Sequence, residues 1–211
     1  MKITKDLVRK TIKKIAPLVE KESQLKTNLK RYNVILTTPE EIASARNISI
    51  SLAENFTGSY KVDFEKSLIF NRRFIFPKNF NCITKTFKMM ISHEVMHNAQ
   101  FEIFPYLITL TSNLKKALKT NPNDENLKKE KKSLDYLIEG DARLVENNLS
   151  KRYFSIQGDY FAKLKSIFGE EKDSVYTAGE RILRDKFKGN RKDINELYTA
   201  PIEELVKIFS C

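Results

Sequence analysis

Only two histidines occur in this chain of 211 residues, and they stand four apart, in His93-Glu94-Val95-Met96-His97. Around them Ile83, Phe87, Met90, Ile91 and Val95 recur at three- and four-residue steps, which predicts a helix from Cys82 to about Glu102, with Asn81 as its N-cap. Residues four apart on a helix differ by about 40° in azimuth and ~6 Å in rise, so both imidazoles can meet one ion. Two imidazoles do not complete a metal site. The fold must therefore bring a further ligand to this helix from elsewhere in the chain.

Glu94 sits immediately after the first histidine, where it reaches a metal-activated water rather than the metal. The combination is the helix-borne H-E-x-x-H motif of zinc hydrolases. A catalytic Zn2+ normally has three protein ligands and an open position. With no third histidine, the remaining ligand has to be Asp, Glu or, less favourably, Cys. Glu139, which lies 42 residues after His97 on a second predicted helix, is the downstream candidate, and a His₂Glu set is a known catalytic zinc arrangement. Asp141 and Glu146 are its rivals. Asp135 and Glu146 share the helix face of Glu139, and any of Asp135, Asp141 and Glu146 would serve as a carboxylate that orients a ligand histidine.

The rest of the chain supplies an α+β frame. Ile3, Leu7, Val8, Ile12, Ile15, Leu18 and Val19 form an amphipathic helix with lysines on its other face, and Pro17 is expected to kink or split it. Residues 32–37 read as a strand. Thr38-Pro39-Glu40-Glu41 is a capping box that starts a helix running to near Asn47, or on toward Asn55. Residues 60–64 alternate, and 67–70 and 74–76 follow, which suggests a hairpin turning near Glu65-Lys66. Pro105 opens a further apolar helix. Asn121 to Asp124 form a loop and cap before a helix from about Glu125 to Leu149, interrupted at Gly140. Helices are expected at about 159–168, 175–188 and 202–209. The strands cluster before residue 77, so the expected fold is α+β with a small sheet of about three strands and a mainly helical C-terminal half.

Composition narrows the classes. Hydrophobic residues make up 41% and charged residues 31%, with six Gly and six Pro, which excludes collagen-like and fully disordered chains. No apolar run approaches the ~20 residues of a membrane span, and the N-terminus lacks the apolar stretch of a signal peptide. Two cysteines, Cys82 and Cys211, make no disulfide framework, so a cytoplasmic setting is expected. The net charge is +11, and residues 1–31 hold ten basic residues against Asp6, Glu20 and Glu22. That basic segment reads as a solvated helix face; its alternative is attraction to nucleic acid or an anionic membrane surface.

The hairpin, the H-E-x-x-H helix and the glutamate on a following helix together resemble the zincin metallopeptidases, and a glutamate third ligand is similar to their gluzincin branch. More narrowly, His93 to Gln100 followed by Glu139-Gly140-Asp141-Ala142 resembles bacterial and archaeal gluzincin-like proteins with an H-E-x-x-H-x-x-Q helix and an E-G-D-A helix. Val175 to Gly179 and Ile194 to Pro201 extend the likeness, which spans about residues 58–205. The resemblance implies a single zincin-like domain over residues 1–211, with Zn2+ on His93, His97 and Glu139 and Glu94 as general base. It also implies a peptide or protein substrate, laid along an edge strand at residues 60–64 or 67–76. Arg143 stands where many gluzincins place an acidic residue to orient a histidine, which leaves that role to Asp141 or Glu146. The oxyanion-steadying side chain would be Tyr176, with Tyr153 and Tyr160 behind it. The competing expectation is a zinc-binding protein that does not catalyse and acts through interactions.

Overall fold

The computed structural model describes residues 5–29, 32–46, 49–50, 58–61, 67–71, 80–154 and 175–210. Among them the element order is α1 (Lys5–Ser23), β1 (Asn33–Thr37), α2 (Pro39–Arg46), β2 (Gly58–Lys61), β3 (Ser67–Asn71), α3 (Phe80–Ile103), α4 (Tyr106–Thr120), α5 (Glu125–Tyr153), α6 (Val175–Phe187), α7 (Arg191–Leu197) and α8 (Ile202–Phe209). The fold is mostly helical α+β. Its three strands are ordered β1-β3-β2, with β1 parallel and β2 antiparallel to β3. The expected hairpin is therefore present as β2 and β3, in the register Tyr60↔Leu68. Its turn, the expected strand at 74–76 and the expected helix at 159–168 lie outside the described residues.

Local chemistry explains the starts of α2 and α5. At α2 the Thr38 N–H donates to Glu41 Oε2 at 2.9 Å and the Glu41 N–H donates to Thr38 Oγ1 at 3.3 Å, so the capping box closes in both directions. At α5 the Asp124 carboxylate accepts from the N–H groups of Asn126 and Leu127. Helix α3 begins at Phe80, so Asn81 lies inside the helix rather than capping it.

Helix α1 runs unbroken through Pro17, contrary to expectation. Pro17 is exposed, so the hydrogen bond it removes falls on the solvent side. The apolar face of α1, with Val8, Ile12, Ile15 and Val19, belongs to the main core, while Lys5, Arg9, Lys10, Lys13, Lys14 and Lys21 are exposed. Buried Glu22 accepts from Asn148 Nδ2 and from Arg152 at 2.8 Å each, tying α1 to α5. The basic residues of the segment that fall within α1 thus form the outer face of a core helix. Among the described residues no helix is long and apolar enough to cross a membrane.

Gly140 does not interrupt α5. It lies where α5 crosses α6 at Gly179, and a Cβ on Gly140 would stand 2.5 Å from the Gly179 backbone. Each glycine is required by the closeness of the other helix, not by a break. The two helices that carry the candidate ligands, α3 and α5, are the inner elements of the molecule. From Met89 to Gln100 every residue of α3 is buried except half-buried His93. Ser92, Glu94, His97, Asn98 and Gln100 are polar side chains in that interior, where each needs a partner or a task.

Candidate metal centre

Helices α3 and α5 bring the predicted trio together. His93 Nε2 and His97 Nε2 are 3.1 Å apart, and Glu139 Oε2 lies 3.3 Å from the first and 3.2 Å from the second. A tetrahedral ion with bonds of about 2.0–2.1 Å sets its ligand atoms about 3.3–3.4 Å apart. The triangle therefore has the size that one small divalent ion requires. Three potential ligand atoms on two helices thus converge on one point that could hold an ion. Among the described residues this is the one group of three such side chains.

Each histidine is held by its other nitrogen, and the holders differ. His93 Nδ1 faces Glu146 Oε2 at 3.3 Å, and Glu146 is clamped by Arg143 at 3.2 Å. Arg143 thus fixes the carboxylate that orients His93. His97 Nδ1 faces Gln100 Oε1 at 2.8 Å. Asp141 touches neither ring. It is fully buried and pairs with Arg191 and Tyr198, because a two-residue step carries it about 200° round the helix from Glu139. Asp135 shares the Glu139 face but pairs with Lys131 instead of a histidine. Gln100 and Tyr198 stand within the motifs that carry the family resemblance, which assign neither a chemical role. The signal for Gln100 was its place three residues after His97, on the same helix face.

The electrostatics are those of a coupled cluster. Burial opposes charge on His93, but the carboxylates of Glu139 and Glu146 outweigh it and push its pKa up to about 10. Burial likewise opposes ionisation of Glu139, and the two imidazoles overcome it and hold its carboxyl well below the usual range. The imidazoles and carboxylates of the site thus stabilise one another's charged forms. Glu94 is 4% exposed and its Oε2 has no hydrogen-bond partner. Burial pushes its pKa up, the two imidazoles pull it down, and the net shift is upward.

The opening of the site lies beside Glu139, 28% exposed, and Tyr176, 45% exposed. The Tyr176 ring centroid is 5.7 Å from that of His93. Partial burial and the carboxylates of Glu139 and Glu94 raise its hydroxyl pKa, so the phenol stays protonated. Tyr153 is exposed at the end of α5, and Tyr160 lies outside the described residues. Residues 67–71 form the central strand of the sheet, which removes them as a docking edge; among the described residues β2 is an edge strand.

The fold has a solved counterpart. It is a "putative hydrolase with a novel fold" from Chloroflexus aurantiacus, similar with a TM-score of 0.67 at 14% identity, over 98% of this chain and 89% of that one. At this identity the likeness concerns the fold alone. No protein-family model matches the chain, and no curated protein matches it in sequence.

Glu146 gives a prediction at this point. Glu146→Ala removes the acceptor that orients His93 and leaves Arg143 without its buried partner. Metal affinity is expected to fall about 10–100-fold, as measured by competition with a chelator. Unchanged affinity would show that His93 needs no carboxylate behind it.

Proposed function

We propose that this chain is a zinc-dependent metallopeptidase of the gluzincin kind, with His93, His97 and Glu139 as metal ligands. The observation that carries the reading is the triangle of ligand atoms, 3.1–3.3 Å on each edge, beside a buried glutamate with an unpartnered oxygen. Zn2+ in that triangle supplies Lewis-acid polarisation of a carbonyl and a nucleophilic water at neutral pH. His93 and His97 present bare Nε2 atoms to it, because Glu146 and Gln100 occupy their Nδ1 positions. Glu94, whose pKa burial raises above the ordinary carboxylate value, accepts the water proton on Oε2 and returns it to the leaving amine. Tyr176, protonated and beside His93, donates to the oxygen on which negative charge develops. Strand β2 offers its backbone to an extended peptide. The description of the Chloroflexus aurantiacus protein as a hydrolase agrees with this chemistry.

The test is metal content and cleavage of a peptide library by the full chain. About one zinc per chain, lost in His97→Ala, with cleavage that stops when the metal is removed, is the expected result. A chain that takes up no zinc after incubation with it sinks the reading.

A further inference from the structure

The Gln100 amide has a polarity that its surroundings force. Its Nε2 donates to the Ile138 carbonyl at 2.9 Å and to the Tyr198 hydroxyl at 2.6 Å. A carbonyl only accepts, so the end of the amide toward Ile138 is the NH₂. The atom facing His97 Nδ1 is then Oε1, also acceptor-only, and that nitrogen must donate. The His97 Nε2 lone pair is left pointing at His93 and Glu139.

The far end is fixed in the same way. The Tyr198 hydroxyl accepts from Gln100 and donates to Asp141 Oδ2 at 2.7 Å. Burial and the Asp141 charge push its pKa well above the ordinary value, so it keeps the proton it donates. Asp141 is gripped at both oxygens by Arg191. Every donor in the run His97–Gln100–Tyr198–Asp141 therefore points away from the metal triangle. The run passes through Tyr198, on the C-terminal flank of α7, and returns to α5 at Asp141, which Arg191 of α7 grips. Tyr198 is fully buried and stacks on Phe104 at 4.9 Å; its backbone N–H donates to the Asn195 carbonyl at 3.2 Å, and the Asn195 side chain donates to the Ser23 carbonyl at 3.0 Å.

We propose that Gln100 and Tyr198 are positioning residues of the metal centre, which select the Nδ1–H tautomer of His97 and make metal affinity depend on the docking of residues 191–198. The inference rests on the zinc reading above. It places the C-terminal segment within the function of the site, although no residue of that segment is a ligand.

The experiment measures Zn2+ affinity of the full chain by competition with a chromophoric chelator. Melting without zinc verifies that each variant is folded. Tyr198→Phe keeps the ring on Phe104 and removes only the hydroxyl; its affinity is expected to fall about tenfold. Gln100→Leu fills the same space without an acceptor and is expected to lose about 10–100-fold. Gln100→Glu restores an acceptor to Nδ1 but cannot donate to the Ile138 carbonyl, and is expected to recover part of that loss. A mere packing role reverses the last pair, since a buried carboxylate is worse filler than leucine. Unchanged affinity in folded Tyr198→Phe, or Gln100→Leu binding as well as Gln100→Glu, overturns the proposal. Zinc binding without peptide cleavage refutes the peptidase reading and leaves this one standing. No zinc uptake by the unaltered chain overturns both.

Discussion

Glu94→Gln is expected to keep its zinc and to lose hydrolysis by about 10²–10⁴-fold. Glutamine has the shape of glutamate but cannot take a proton from water. Glu94 is not among the ligand atoms of the triangle, so the site that holds the ion is untouched. It lies on the same helical turn as His93, buried, with an oxygen that no protein group engages. A buried carboxylate oxygen without a partner costs free energy that nothing in the fold recovers, and a proton-transfer role is the physical reason to retain it. The measurement is zinc content and the peptide cleavage rate on the same preparation. Full activity in a zinc-replete Glu94→Gln protein would remove Glu94 as the base. Loss of zinc in that variant would instead place it in the ligand set.

Gly179→Ala is expected to destabilise the fold by about 3 kcal/mol. A Cβ there would stand 2.3 Å from the Tyr136 carbonyl oxygen and 2.9 Å from Gly140 Cα. Both are backbone atoms of α5, so no side chain can swing aside and the helices have to separate. For a chain of this length the loss corresponds to a melting temperature lower by roughly 6–12 °C. Gly189→Ala is the control. Gly189 has a φ of +71° but open space around it, so that change costs only about 1 kcal/mol of backbone strain. The separation has a second consequence. The proposed metal ligands reside on α3 and α5, whereas Tyr176 rides on α6 one turn before Gly179. Gly179→Ala should therefore bind zinc nearly as well as the unaltered chain while cleaving peptides more slowly. Equal melting temperatures for Gly179→Ala and the unaltered chain would mean that the crossing is looser than its distances imply.

Helical periodicity carried far in this protein. It set His93 and His97 on one face of α3, and Glu139 and Glu146 on one face of α5, because azimuth on a single helix depends only on residue spacing. Caps at Thr38 and Asp124 were legible for a similar reason, being hydrogen bonds over two or three residues. What periodicity leaves open is how two helices are turned toward each other. The side of α5 that carries Asp141 could face a histidine or the C-terminal helices, and the packing of Arg191 and Tyr198 decided for the latter. Gly140 looked like a break because isolated glycine usually weakens a helix; only its partner Gly179, 39 residues away, makes it a contact. The strand at 67–71 read as an edge because pairing with 33–37 across a crossover leaves no mark in local alternation. Residue spacing along α3 and α5 thus determined which ligands could share an ion. The tertiary structure decided which neighbours hold them in place, because those hydrogen bonds join residues up to 98 positions apart.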